Sequence, residues 1–161
     1  MRRRIRSCSK RPCSSTPTTL PPTVVVDTGP IVALFDRSEA RHDWARRQFD
    51  TLRAPLLTCE AVLSETSFIL RRLGADPSLP VQLVEQGMLR IAPLFDATAD
   101  ATAVGRLMRR YADVPMSFAD ACLVRIVEST EHASVMTLDS DFHIYRQHGR
   151  RVIPLLAPAE S

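Results

Sequence analysis

The sequence predicts an α/β fold: a three-layer α/β/α arrangement around a mainly parallel central sheet of four to five strands. Three observations carry this. Val24-Val25-Val26 is a short continuous apolar run, as expected of a strand covered on both faces. From there on, strand-like segments alternate with segments of helical periodicity, the pattern of a parallel sheet with crossover helices. Neither Asn-Gly nor Asp-Gly, the strongest short hairpin signals, occurs anywhere.

Taken in order, the strand at Val24–Val26 is followed by Thr28-Gly29-Pro30, where the chain turns. Pro30 suits the first position of a helix reaching Phe35, because a missing N–H costs nothing there. Ser38 or Glu39 opens a second helix to about Leu52, with Trp44 on its inner side, and Pro55–Leu57 is a short strand. Thr58 can cap a helix running to Leu73, which Gly74 ends. A helix over Pro77–Gly87, a strand at Met88–Ile91 and helices over Thr98–Tyr111 and Ser117–Ser129 follow. The last elements are a strand at Ser134–Thr137, a short helix over 141–147 and a final strand at Arg151–Ile153.

A chain of 161 residues with 45% hydrophobic and 24% charged content suits one globular domain, assigned to residues 23–157. The formal charge of +3 is unevenly placed. Residues 1–22 hold Arg2, Arg3, Arg4, Arg6, Lys10 and Arg11 and no acid, so the rest of the chain is mildly acidic. That segment, basic and then rich in Ser, Thr and Pro, reads as a disordered tail. A transit peptide and a misplaced start codon are alternative readings of it. The four cysteines form no C-x-x-C pair and the four histidines show no ligand spacing, which argues against a zinc site or disulfide framework. A reducing cytoplasm is the expected setting. No apolar run approaches the roughly 18 residues of a membrane helix, so no membrane partner is expected.

Function is carried by four acids at positions where apolar residues are the rule. Asp27 ends the valine run, and Asp139 follows Val135-Met136. Glu65 shares its helical face with Ala61, Val62, Phe68 and Ile69; Asp120 shares its own with Met116, Leu123 and Val124, and with Ser117. Glu128, by contrast, has Arg125, Glu131 and His132 nearby and reads as a solvated acid. A carboxylate taken out of water costs several kcal/mol unless a charge compensates it. Each acid also has a plain structural reading. Asp27 could open a turn, Asp120 could complete a capping box with Ser117, Glu65 could sit at a rim, and Asp141 could cap the short helix after it. Four such accidents on one side of one sheet are harder to accept than one shared cation. Carboxylates alone favour hard cations, Mg²⁺ or Mn²⁺, over zinc, and such ions serve phosphodiester hydrolysis.

Four segments carry a resemblance: Val25-Val26-Asp27-Thr28-Gly29-Pro30, Leu63-Ser64-Glu65, Ser117-Phe118-Ala119-Asp120-Ala121 and Thr137-Leu138-Asp139-Ser140-Asp141-Phe142. In this order and spacing the chain resembles the PIN-domain family, specifically the VapC-type ribonuclease toxins of toxin–antitoxin pairs. The resemblance implies a PIN-like fold and a metal-dependent ribonuclease leaving 5′-phosphate and 3′-hydroxyl ends. It implies metal ligation and catalysis by Asp27, Glu65, Asp120 and Asp139, with Asp141 as a secondary ligand. Thr137 would support the site by orienting water or phosphate. RNA is the implied substrate, and a cognate antitoxin and a homodimer are the implied protein contacts. Arg37, Arg41, Arg71 and Arg72 are candidate phosphate contacts, although exposed arginines are more often a solvated surface.

Three rival functions remain. A haloacid-dehalogenase-type phosphatase wants a second Asp two residues after the first, and position 29 is Gly. The same fold could serve as an RNA-processing nuclease outside any toxin pair, or as a non-catalytic module that holds RNA or a basic partner. For the tail, the expected outcome is that deleting residues 1–20 preserves a single cooperative thermal transition; loss of cooperativity in that truncation would make the segment structural.

Overall fold

All three valines of the first run are buried in β1 (Thr23–Val26), so both faces of that strand are covered. The computed structural model describes residues 23–114 and 116–159; the tail expected over residues 1–22 lies outside them. After β1 come α1 (Thr28–Phe35), α2 (His42–Thr51), β2 (Leu56–Thr58), α3 (Glu60–Arg72), α4 (Leu79–Glu85), β3 (Leu89–Ile91), α5 (Thr98–Arg110), α6 (Phe118–Ser129) and β4 (Ala133–Met136). A 3₁₀ turn (Ser140–His143) leads to β5 (Arg146–Gln147), β6 (Arg151–Val152) and β7 (Leu155–Leu156).

The main sheet has five strands in the order β3-β2-β1-β4-β7, and every pairing is parallel. Helices pack on it and on one another, α6 against both β1 and β4, which gives the expected α/β/α arrangement. The core is one cluster centred on Val25, Val26, Val135, Met136, Ile31 and Leu123, each fully buried. The two described cysteines, Cys59 and Cys122, are free thiols inside it.

The chain steps outward from β1 through β2 to β3, then returns to the other side of β1 as β4. That reversal leaves a crevice at the carboxyl ends of β1 and β4, where ligands bind in open parallel sheets. The register sets Val26 beside Met136, so the next residues, Asp27 and Thr137, leave the sheet side by side.

Several expected boundaries are corrected, each for a local reason. α2 begins at His42 rather than at Ser38 or Glu39. The Asp36 carboxylate takes the Ser38 N–H at 2.9 Å and the Ser38 hydroxyl at 2.6 Å, and this tight turn displaces the helix start. Asp76 and Ser78 repeat the device, so α4 starts at Leu79 and not Pro77. Thr58 is no helix cap. It is the last residue of β2, and its buried hydroxyl donates to the Val26 carbonyl at 3.0 Å, tying β2 to the end of β1.

The helix expected over 141–147 is only the 3₁₀ turn Ser140–His143. There the Arg146 guanidinium donates to the carbonyls of His143, Ile144 and Tyr145 and closes the turn before a further one can form. The strand expected at Arg151–Ile153 belongs to a separate antiparallel pair, β5 with β6, and β7 is the fifth strand of the main sheet. That small hairpin turns on His148 and Gly149, both at positive φ, a pair outside the Asn-Gly and Asp-Gly signals.

Replacing Thr58 with Val keeps the shape and removes the donor to Val26. The expected loss is about 1–2 kcal/mol of unfolding free energy in urea titration; an unchanged midpoint would show that this hydroxyl does not brace the strand end.

Candidate functional site

Asp27 follows the buried end of β1 and serves as the N-cap of α1. One carboxylate oxygen accepts the Thr28 N–H at 2.6 Å, and the other accepts the Thr137 hydroxyl at 2.7 Å. Thr137 directly follows β4, and its hydroxyl in turn accepts the Asp139 N–H at 2.9 Å. Asp139 then caps the 3₁₀ turn, taking the Asp141 N–H at 2.9 Å. One buried hydroxyl thus fixes the acids that follow two neighbouring strands.

Gly29 permits this closeness. A Cβ there would stand 3.2 Å from the Leu138 Cβ, tighter than ordinary van der Waals contact, so the start of α1 lies directly against the segment that carries Asp139.

Asp120 enters from α6. It closes a capping box in which the Ser117 N–H reaches Asp120 Oδ2 at 2.9 Å and the Asp120 N–H reaches Ser117 Oγ at 3.0 Å. The fully buried Tyr145 points its hydroxyl at the same Oδ2, at 3.5 Å. Glu65 reaches in from α3, where its Oε2 accepts the Thr28 hydroxyl at 3.0 Å.

Asp27, Glu65, Asp120, Asp139 and Asp141 all line one cavity of about 420 Å³, together with Thr28, Gly29 and Ser117. The five acids expected from the sequence share this cavity, but their burial differs from the expectation. Asp27 and Asp120 are buried, at 6% and 9% exposure, whereas Glu65 and Asp139 are exposed. The buried stripe of α3 runs through Val62, Thr66 and Leu70, and Glu65 stands beside it at the cavity mouth. The role expected for Thr137 also changes. It is fully buried with its hydroxyl engaged as donor and acceptor, so it holds Asp27 and Asp139 rather than water or phosphate. Thr28 and Tyr145 are the contributors that sequence reasoning missed. Thr28 lay within a motif already singled out, while Tyr145 lay in a segment expected only to form a short helix and carried no signal of its own.

Among the described residues, no arginine, lysine or histidine lines this cavity and none of its five acids forms an ion pair. Burial pushes the Asp27 carboxyl up to about 7, against the hydrogen bonds from Thr137 and Thr28 and with the help of the negative charges of Asp120 and Asp139. Asp120 is raised too, first by burial, while its bonds from Ser117 pull the other way and Asp139 and Glu65 add repulsion.

The donor set fits a hard divalent cation: carboxylates and hydroxyls with no sulfur or imidazole. Among the described residues, no three Asp, Glu, His or Cys side chains stand close enough to grip one ion as they are. Both Asp27 oxygens, one of Asp120 and one of Glu65 are instead turned to partners within the chain.

A parallel α/β/α sheet with an acid-lined cavity at its topological reversal defines the class: an α/β protein whose candidate site lies beyond the carboxyl ends of its strands. Comparison with known proteins gives the family: the PIN domain matches residues 24–147, and the chain belongs to the PIN-domain family. Among curated proteins it is similar to Ribonuclease VapC26 of Mycobacterium tuberculosis (strain ATCC 25618 / H37Rv), 25% identical over 118 residues that make up 72% of this chain and 86% of that protein. Among solved structures it is similar to the crystal structure of Mycobacterium tuberculosis VapC20, a sarcin-ricin loop cleaving toxin. That match has a TM-score of 0.63 and 22% identity, and covers 74% of this chain and 92% of the other.

The raised Asp27 carboxyl has a signed consequence. Its folded-state value, about 7, exceeds the ordinary 3.8, so the metal-free fold holds the proton longer than the unfolded chain does. Stability from this group is complete below about pH 4 and is lost as pH rises through 7. In chelator, urea titrations should therefore show wild type losing stability relative to Asp27→Asn across that window. Parallel pH profiles for the two proteins would refute the assignment.

Proposed function

We propose that the chain is a metal-dependent ribonuclease, hydrolysing RNA phosphodiester bonds as the VapC-type toxin of a toxin–antitoxin pair. Supporting this are membership of the PIN-domain family and a relative that carries a ribonuclease name. The observation that carries the reading is the convergence on one cavity, at the reversal of the sheet, of five carboxylates that pair with no basic side chain among the described residues. An acidic cavity of this kind repels a phosphodiester until a cation is added, which supports the reading that a metal cofactor takes part in RNA cleavage.

Asp27, Glu65, Asp120 and Asp139 would hold Mg²⁺ or Mn²⁺, with Asp141 as a secondary ligand at the rim. When bound, the ion lowers the pKa of coordinated water and neutralises charge on the phosphate. The chain's own part is positioning. Thr137 fixes Asp27 and the backbone of Asp139, Ser117 and Tyr145 fix Asp120, and Thr28 fixes Glu65. The catalytic unit is assigned to residues 23–157. A cytoplasmic setting, a homodimer and an antitoxin partner complete the reading. Among the described residues no helix is long and apolar enough to cross a membrane.

Asp27→Asn and Asp120→Asn should each abolish Mg²⁺-dependent cleavage of a total-RNA pool while unfolding cooperatively, and in chelator they should be at least as stable as wild type. Cleavage retained by both would remove the proposed site. A second measurement is independent of turnover. Mg²⁺ should raise the melting temperature of wild type more above pH 7 than below it, because the ion competes with the Asp27 proton, and the effect should shrink in Asp27→Asn. Equal Mg²⁺ shifts in the two proteins would place the ion elsewhere.

A further inference from the structure

The acidic cavity is the middle of three that share walls. On one side, Leu138 and Asp139 also line a smaller cavity of about 140 Å³, whose other lining residues include Arg41, Ser140 and His143. On the other side, Glu65 and Ser117 also line a cavity of about 640 Å³, with Phe68 and Phe118. The three follow one another across the carboxyl end of the sheet, and their chemistry changes from basic to acidic to aromatic.

At the basic end, neither the Arg41 guanidinium nor the His143 ring forms an ion pair or side-chain hydrogen bond among the described residues. Both stand beside Asp139 with donors unused, so an acceptor from outside the chain would satisfy them. At the aromatic end, three rings are left to water. Phe68 is 60% exposed and Phe118 is 48% exposed, two residues before Asp120. Phe95, also exposed, stacks on one side of Phe118 with centroids 5.8 Å apart and planes at 19°, which braces that ring. The Arg72 guanidinium lies 5.8 Å from the Phe68 ring centroid and adds positive charge beside that face. An unpaired nucleobase matches such a surface because every base has a π face, and its neighbouring phosphates match the flanking arginines.

We propose that the three cavities form one track for an RNA strand, with backbone phosphate held by Arg41 and His143 at one end and an unpaired base stacked on Phe118 and Phe68 at the other. This rests on the ribonuclease reading and adds two subsites to it. The Arg41 charge draws the backbone toward an acidic centre that would otherwise repel it, the His143 ring offers a hydrogen bond beside it, and the aromatic rings hold the strand open across that centre.

The test is fluorescence anisotropy of a short unstructured labelled RNA with Mg²⁺, on the full chain in an Asp27→Asn background, so that binding is read without turnover. Adding Phe118→Ala or Phe68→Ala should weaken binding about five- to hundredfold, and Phe118→Trp should restore it. Adding Arg41→Gln should weaken binding and flatten the salt dependence by about 0.7 in the log–log slope. The same RNA annealed into a duplex should be insensitive to the Phe changes. Unchanged affinity in the Phe and Arg41 variants overturns the proposal. So does a change of molecular mass in the Phe variants, which would give the aromatic face to a second copy of the chain. If wild type cleaves no RNA while these variants still weaken binding, the track stands and the ribonuclease reading fails.

Discussion

The structure turns on the burial of Asp27 at the seam between two parallel strands. The pairing of Val26 with Met136 brings the ends of β1 and β4 together, and Asp27 and Thr137 emerge there as neighbours. Asp139 and Glu65 are tied to that pair, while Asp120 is held separately by Ser117 and Tyr145. Asp139 hangs from the Thr137 hydroxyl, and Thr28, which gives its N–H to Asp27, gives its hydroxyl to Glu65. Gly29 lets the following segment close against Leu138. A carboxylate placed here without a counter-charge works against the fold, and its raised affinity for a proton measures that opposition.

Opposition of this kind is the usual mark of a site shaped for a partner rather than for stability. Asp100, half-buried on α5, shows the alternative: its carboxylate is paired with Arg125 at 2.9 Å. The five acids of the cavity have no Arg125 of their own. Arg41 and His143 stand outside, beyond Asp139, where they meet an incoming polyanion without quenching the acids.

Much of this was legible in the sequence, because the signals were strong where packing is simple. Val24–Val26 reads as a doubly covered strand and is one, and the acids that end strands or interrupt apolar stripes share one cavity. What failed to read were features decided by contacts far along the chain. Glu65 has apolar neighbours at helical spacing, yet Phe68 among them faces water, since nothing in a helical wheel says which part of the apolar arc meets the sheet. Thr58 has a good capping residue's chemistry, but its hydroxyl is claimed by the Val26 carbonyl, 32 residues earlier. Tyr145 is fully buried against Asp120, its ring packed edge-on to Tyr111, 34 residues earlier, and to Phe142.

The two-residue strand β7 carries a consequence for biosynthesis. The Thr137 N–H donates to the Leu156 carbonyl at 3.2 Å, and the Val135 N–H donates to that of Pro154 at 2.9 Å, so the outer edge of β4 is closed by nearly the last described residues. During translation, β1 to β4 emerge first and leave that edge with open backbone donors, a template for mispairing. β4, which Thr137 follows, is clamped on both sides only once Leu156 has left the ribosome, so final assembly of the acidic crevice waits for a strand that lies beyond all of the acids it holds.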